Sequence, residues 1–476
     1  MINRNLVTID DFSNSEIEAV FSLADTMGDS MNEQLGLCHG KIMASLFFEP
    51  STRTRLSFEA AMHRLGGSVI SAVDVQATSL AKGESIADMA RVLGSYADII
   101  VIRHPWEGAA KVVADYSGIP VINAGDGGHQ HPTQTLLDLY TIKKERKTLE
   151  GLKIALWGDL KYGRTIHSLT FALARFGATV LFRPAPGLEV PEHVIEKLIT
   201  EYGGEVKRFE SLNQTADGGA FPLDAIYITP SSPHQLALLP DISMQVELEA
   251  DVDALYVTRP QKERFTAAEG GQDLKKHYPV VNKKLLKEKE FKKTIIMHPL
   301  PRVDELAYEL DADPRSMYFK QAAWGVQVRM ALVALLLGAK EISIPKEDSF
   351  VQNIGYPVYR RVSGVKCSNP KCVSVQETEK KYIKSEFNIV SLKPLTLRCI
   401  YCEHGFEPEY VASTDWHEGK LESKKYHRAD SHLVKKFKPE NLILFESASE
   451  AEAYGFKPSH YAEAHQVRRK GKTSKS

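Results

Sequence analysis

The residues best suited to chemistry stand at Ser51-Thr52-Arg53-Thr54-Arg55, where three hydroxyls and two guanidinium groups fill five consecutive positions. The apolar run Ile42 to Phe48 precedes them and reads as a buried strand. Phe58, Ala61, Met62 and Leu65 follow at i, i+3, i+4, i+7, the period of a helix. A strand therefore ends, the chain turns at Pro50, and a helix begins at Ser51 or Thr52. Unpaired backbone N–H groups at a helix start favour an anion, and arginine matches phosphate oxygens in bidentate fashion. The stretch reads as a phosphate cradle. A capped helix flanked by solvated arginines is the plainer alternative, and a lone Ser-Thr pair would favour it. The full S-T-R-T-R directly after a buried strand favours the cradle.

Other polar groups gather at the ends of apolar runs. The run from Asp98 to Pro105 delivers Arg103 to the C-terminal end of a strand, the end that faces the ligand crevice in open α/β sheets. His131 and Gln134 share a face at a helix start, with Pro132 in the first turn. Such a position favours a neutral imidazole, and an ordinary surface histidine is the alternative for His131. Thr78 to Ser85 is a polar, glycine-containing loop with Ser79 and Lys82, either a working loop or a solvated connector. Arg164 stands where a helix begins and suits a carboxylate. A basic cluster, Thr258-Arg259-Pro260-Gln261-Lys262, closes a further strand. After another strand comes His298-Pro299-Leu300-Pro301-Arg302, which two prolines make a rigid turn.

A different chemistry is written near the C-terminus. Cys367 and Cys372 form one pair, and Cys399 and Cys402 a second. Two such knuckles suit a tetrahedral, all-thiolate zinc site with no open position. The fifth cysteine, Cys38, stands alone, so the set is not a disulfide framework and fits a reducing, cytoplasmic setting.

These groups need elements to hold them. Strands alternate with helical periods through most of the chain, which predicts parallel sheets covered by helices. The fold class expected is α/β: two doubly wound parallel-sheet domains joined by interdomain helices, plus a small C-terminal β-rich zinc domain. Expected boundaries are 1–134 for the first domain, completed by a returning helix at about 318–339, and 135–317 for the second. A linker at 340–361, a zinc domain at 362–415 and a tail or small module at 416–476 follow. The segment 210–248 is rich in Gly, Pro and Ser and reads as a long irregular insertion without an assigned role. A βαβ outline near Gly158 lacks the G-x-G-x-x-G spacing, so dinucleotide binding is not expected. At 476 residues, 43% hydrophobic and a formal net charge of −1, the chain is an ordinary multidomain globular protein. The charge gives no reason to expect nucleic acid, and no apolar run is long enough for a membrane span.

Taken together, these motifs resemble the catalytic chain of aspartate carbamoyltransferase from about residue 5 to 338, fused to a segment similar to the zinc domain of that enzyme's regulatory chain at about 362–412. The resemblance implies transfer of a carbamoyl group from carbamoyl phosphate to L-aspartate in pyrimidine synthesis. Catalytic roles fall to Arg53, Thr54, Lys82, Arg103, His131 and Gln134. Substrate binding falls to Ser51, Thr52, Ser79, Arg164, Arg259, Gln261, Leu300 and Pro301, while Arg55 is structural. Cys367, Cys372, Cys399 and Cys402 would hold structural zinc, and no organic cofactor is implied. In this family the loop with Ser79 and Lys82 reaches a neighbour's site, so a homotrimer or a dimer of trimers with shared sites is expected. The nucleotide-binding half of a regulatory chain is not visible, so little response to ATP or CTP is expected.

Two rivals remain at this level. Ornithine carbamoyltransferase shares the cradle, but it carries a cysteine where this chain has Leu300, and Arg259 with Gln261 suits a dicarboxylate better than an amine. A nucleic-acid-binding zinc ribbon is compatible with the cysteine spacing alone, but the ribbon region lacks a dense basic-aromatic face.

Overall fold

Apolar runs bounded by turn residues become strands, and the 3.6-residue periods between them become covering helices. The computed structural model describes residues 1–31, 33–73, 82–161, 163–185, 187–203, 207–208, 223–229, 252–259, 280–287, 291–344, 355–360, 365–377, 382–414 and 425–462. The chain divides into two units. One comprises Met1–Pro105 and Val113–Asn353, the other Trp106–Val112 and Ile354–Ser476.

The first unit begins with helix α1 (Asn14–Asp29), closed at its start by a reciprocal Ser13–Glu16 capping box. Strand β1 (Ile42–Phe47), helix α2 (Thr52–Arg64), β2 (Ser68–Ala72), α3 (Ile86–Gly94), β3 (Ile99–His104), α4 (Ala109–Ser117, of which the residues from Val113 belong to this unit) and β4 (Val121–Asp126) follow. The four strands pair in parallel in the order β2-β1-β3-β4. Strands β3 and β4 are buried at every position, as a sheet covered on both faces requires. The strand order reverses between β1 and β3, so the crevice at their C-terminal ends is the place for a ligand. The cradle follows β1, and Arg103 lies in β3 directly opposite Phe47.

Helix α5 (Pro132–Arg146) leads to the second sheet. There β5 (Lys153–Gly158), α6 (Arg164–Arg175), β6 (Thr179–Pro184), α7 (Glu192–Tyr202), β7 (Lys207–Arg208), β8 (Ala225–Thr229), β9 (Ala254–Val257) and β10 (Ile295–Met297) give a parallel sheet ordered β10-β9-β8-β5-β6-β7. Strand β8 corrects the reading of 210–248 as irregular throughout. Ala225-Ile226-Tyr227-Ile228-Thr229 is a fully buried strand beside β5. Its signal is only five residues long, and the surrounding Gly, Pro and Ser clusters obscure it. This sheet also reverses order, between β5 and β8. At that point Gly158 adopts φ +105°, and a Cβ there would stand 1.9 Å from the Thr229 carbonyl oxygen, so only glycine fits.

Helix α8 (Tyr318–Leu336) returns to pack on α1, α2 and α5. One apolar cluster runs across both sheets, through Met43 and Ile122, Met330 and Val333 of α8, and Leu156 and Tyr227. The C-terminal half of α8 is buried along its length; nearer its start Ala323 is exposed, whereas Gln321 and Gly325 are buried. Among the described residues, no helix is long and apolar enough to cross a membrane.

The second unit is β-rich. Antiparallel strands β11 (Val358–Tyr359), β12 (Phe387–Leu392), β13 (Leu395–Cys399) and β14 (Gly405–Phe406) form one sheet in chain order. Strands β15 (Tyr410–Ser413), β16 (Lys425–Arg428), β17 (Leu442–Phe445) and β18 (Lys457–Pro458) form another, ordered β17-β15-β16-β18, around a small core of Tyr410, Tyr426, Phe445 and Ala451.

Candidate active site and zinc centre

Ser51 to Arg55 open α2, directly after the turn that follows β1. Ser51 is the N-cap of α2 with no side-chain cap bond, and no acidic residue occupies the first turn. The first amide to find a helical acceptor is Arg55 N, 3.2 Å from Ser51 O. The amides of Thr52, Arg53 and Thr54 therefore have no acceptor within the helix. Thr52 and Arg53 are exposed, and Ser51 and Thr54 half-buried. Arg55 turns back along its own helix, 3.9 Å from Glu59. Burial and the neighbouring Arg259 both push the Arg53 guanidinium pKa down. Arg53 in turn contributes to lowering His298. Arg53 of α2 and Arg259 of the loop after β9 thus lie close enough to repel one another, an arrangement that an anion relieves.

Arg103 and His131 come together behind the cradle, and both are buried. Arg103 Nε lies 3.2 Å from Glu49 Oε2. Its Nη1 donates to the Ala124 carbonyl at 3.3 Å and stands 3.4 Å from His131 Nε2. Gly125 makes the approach possible: at φ +118°, a Cβ would crowd Arg103 Nη1 at 3.2 Å and His131 Cδ2 at 3.4 Å. His131 is the N-cap of α5, and Pro132 opens the helix. Three residues on, Gln134 Nε2 donates to Asp138 Oδ1 at 2.8 Å, which turns the amide oxygen the other way.

The turn after β10 is held by its own polar groups. His298 Nδ1 accepts from Leu300 N at 2.8 Å, and Nε2 donates to Glu305 Oε1, also at 2.8 Å. An imidazole that accepts at one nitrogen and donates at the other is neutral. Burial favours that state by lowering the His298 pKa. Glu305 also accepts from the amides of Val303 and Asp304. Arg302 pairs with Asp311 at 2.6 Å and stacks over Tyr308 at 4.0 Å. Leu300, at φ +54°, and Pro301 form the tip, half-buried and exposed respectively.

Of the remaining predicted site residues, Arg259 is half-buried just beyond β9, and Lys82 is exposed before α3. Arg164 opens α6. Ser79, Gln261 and the Arg164 side chain lie outside the described residues. Sequence reasoning missed Asp138, Tyr256 and Gln321, which meet at the back of Gln134. Asp138 was discoverable, because it lies one helical turn from Gln134. Gln321 was a second clue, as a polar residue early in an apolar helix.

In the second unit, the sulfurs of Cys367, Cys372, Cys399 and Cys402 all lie within 4.8 Å of one another, and all four residues are buried. Cys367 Sγ is 3.6 Å from Cys402 Sγ, and Cys372 Sγ is 3.7 Å from Cys399 Sγ. Tetrahedral zinc with bonds of about 2.3 Å sets its sulfurs about 3.8 Å apart, so the donor set fits structural zinc. Glu107, in the stretch Trp106–Val112 of the same unit, braces the first knuckle. Its N donates to Lys371 O, its O accepts from Val373 N, and its carboxylate accepts from Asn369 Nδ2 at 2.5 Å.

Comparison with known proteins agrees with this geometry. Residues 4–144 match the carbamoyl-phosphate-binding domain of aspartate/ornithine carbamoyltransferases, and residues 234–336 their Asp/Orn-binding domain. Residues 360–412 match the metal-binding domain of the aspartate carbamoyltransferase regulatory chain. The aspartate carbamoyltransferase catalytic subunit of Clostridium botulinum is 45% identical over 338 residues, which are 71% of this chain and 99% of that relative. The catalytic subunit of M. jannaschii aspartate transcarbamoylase superposes with a TM-score of 0.56 at 43% identity, covering 70% of this chain and 98% of that one. The Trypanosoma cruzi aspartate transcarbamoylase, solved with carbamoyl phosphate and aspartate, gives 0.57 at 37% identity, over 71% of this chain and 97% of that one. The chain belongs to the aspartate/ornithine carbamoyltransferase family. Its activity within that family is that of an aspartate carbamoyltransferase, and it carries a structural zinc domain of the regulatory-chain type in the same polypeptide.

Proposed function

We propose that the residues gathered at the two sheet crevices carry out the transfer by orientation and charge stabilisation, without a covalent enzyme intermediate. Ser51, Thr52, Arg53 and Thr54 hold the phosphate on the start of α2. Arg103, His131 and Thr54 surround the carbamoyl oxygen, and Gln134 accepts from the carbamoyl NH2 through its amide oxygen. Arg164, Arg259 and Gln261 hold the two carboxylates of aspartate, and Leu300 and Pro301 supply backbone groups around the reacting carbon. The α-amine nitrogen of aspartate bonds to the carbamoyl carbon, and the carbon–oxygen bond to phosphate breaks. The amine proton leaves with the departing phosphate. Negative charge grows on the carbamoyl oxygen as the amine attacks, and one positioned donor there is worth about 3–4 kcal/mol. Holding both reactants in line supplies several kcal/mol more. The observation that carries this reading is the meeting of Arg103 and His131, 3.4 Å apart beside the cradle.

Zinc, when bound by Cys367, Cys372, Cys399 and Cys402, cross-links two segments of a small domain. Four thiolates leave it no open position for chemistry. The need for reduced cysteines supports a cytoplasmic location.

Ser79 and Lys82 complete the carbamoyl phosphate site of a neighbouring subunit, in a homotrimer or a dimer of trimers. The exposure of Lys82 supports this assignment. The test mixes two inactive chains, Arg53→Ala and Lys82→Ala, under conditions that let subunits exchange. Activity is assayed with carbamoyl phosphate and either aspartate or ornithine. Activity should return in the mixture with aspartate alone. No rescue would overturn the shared site, and turnover of ornithine would overturn the substrate assignment.

A further inference from the structure

Behind the amide of Gln134 lies a carboxyl group that the reaction itself does not require. Asp138 is one turn further along α5 and is almost wholly buried, at 1% exposure. Its Oδ1 accepts three hydrogen bonds: from Gln134 Nε2 at 2.8 Å, from Tyr256 OH at 2.9 Å and from Gln321 Nε2 at 3.0 Å. Its Oδ2, also buried, has no partner among the described residues. Burying a carboxylate disfavours its charged form. Burial accordingly pushes its pKa up to about 7.

The donors that meet on Oδ1 come from three elements that carry the site. Gln134 stands at the start of α5. Tyr256 is in β9, whose C-terminal end leads to Arg259. Gln321 belongs to α8, and its Oε1 accepts from His298 N at 3.2 Å, at the root of the turn that bears Leu300.

A primary amide can lie either way round with little change in shape, so its orientation is set by its neighbours. Were the Gln134 amide reversed, its oxygen would face Asp138 Oδ1, two acceptors in contact in a buried site, which is repulsive. Tyr256 OH and Gln321 Nε2 already direct hydrogens at Oδ1, so that atom is held as an acceptor. The Gln134 nitrogen must therefore point at Asp138 and its oxygen away.

We propose that Asp138 is a positioning residue of the carbamoyl transfer, whose buried oxygen fixes the Gln134 amide so that an acceptor, not a donor, is presented to the carbamoyl NH2. The inference rests on the reading of Gln134 as the partner of that NH2. Asp138 touches no substrate and acts through Gln134, with Tyr256 and Gln321 holding it in register.

The test is a double-mutant cycle read as the KM of each substrate. Asp138→Ala should raise the KM for carbamoyl phosphate about tenfold, the order expected when one substrate hydrogen bond is lost, with a much smaller change in the KM for aspartate. In a Gln134→Ala chain the same substitution should add almost nothing. Asp138→Asn retains an acceptor oxygen of the same reach and should restore a near-native KM. Asp138→Leu, which fills the space, replaces Asp138→Ala in the cycle if the alanine chain does not fold. Additive effects of Gln134→Ala and Asp138→Ala would overturn the inference, because they would mean that Asp138 acts elsewhere. A raised KM in Gln134→Ala beside an unchanged KM in Asp138→Ala would overturn it while leaving the Gln134 assignment standing. An unchanged KM in Gln134→Ala would overturn that assignment first, and this inference with it.

Discussion

The zinc centre and the transferase site are built on opposite plans. The zinc centre uses four copies of one residue type, drawn from two short knuckles and buried together with their sulfurs 3.6–3.7 Å apart in the closest pairs. It is closed, and its task is to hold. The transferase site uses many residue types from the ends of several strands, and its cradle is partly open. Its rigidity comes from polar contacts behind the working groups, such as His298 with Glu305 and Gln134 with Asp138. Identical ligands with one geometry need only be brought together, as Glu107 does for the first knuckle. A site that recognises an asymmetric substrate needs a supporting layer to orient each group.

Removing the metal should give the largest effect and test the claim that the zinc centre only holds. Structural zinc contributes roughly 10–16 kcal/mol of apparent binding energy to a small domain. Chelation, or Cys402→Ser, should therefore unfold the region of β11 to β14, seen as loss of amide exchange protection there together with loss of bound zinc. Unchanged protection in metal-free protein would contradict this.

A smaller loss is expected from Arg103→Ala, on the transferase side. Removal of one donor to the developing oxyanion should lower kcat by a factor on the order of 10²–10³, or about 3–4 kcal/mol, with folding retained. Steady-state kinetics beside a thermal melt separates the two. A loss of stability equal to the loss of activity would make Arg103 part of the scaffold.

The finest comparison is of Asp138→Asn with the native chain across pH. An unfolded aspartate ionises near pH 3.8, whereas buried Asp138 does so at about 7. Between those values the folded chain binds the proton more tightly than the unfolded one, so native stability falls as pH rises. The asparagine chain lacks that loss. Its stability relative to the native chain should therefore rise from about pH 4 to about pH 7 and level off above, in denaturant titrations at each pH. A flat difference would mean that the carboxyl does not titrate in that window.

The same contrast explains what the sequence revealed. The four cysteines were legible from spacing alone, because ligand type and chain separation suffice to define the site. The cradle was legible because strand, turn and helix adjoin, so the residues from Ser51 to Arg55 meet without help from distant chain. Convergence of Arg53 with Arg259 and His298 needed the resemblance to a family, since nothing local ties residues so far apart. Asp138, Tyr256 and Gln321 went unnoticed because each is a single polar group inside an apolar element, and only packing brings them onto one oxygen. Strand β8 was lost for a related reason: its short apolar core is flanked by residues typical of loops.

The return of α8 has a consequence for how the protein is made. This helix packs on α1 and α2, near the beginning of the chain, yet it spans Tyr318–Leu336. On the ribosome, this cover for α1 and α2 becomes available only roughly 10–40 s after α5 has emerged, at ordinary rates of synthesis. The second sheet is complete before that moment. The half that carries Ser51 to Arg55, first to be translated, is therefore the last to receive its full packing.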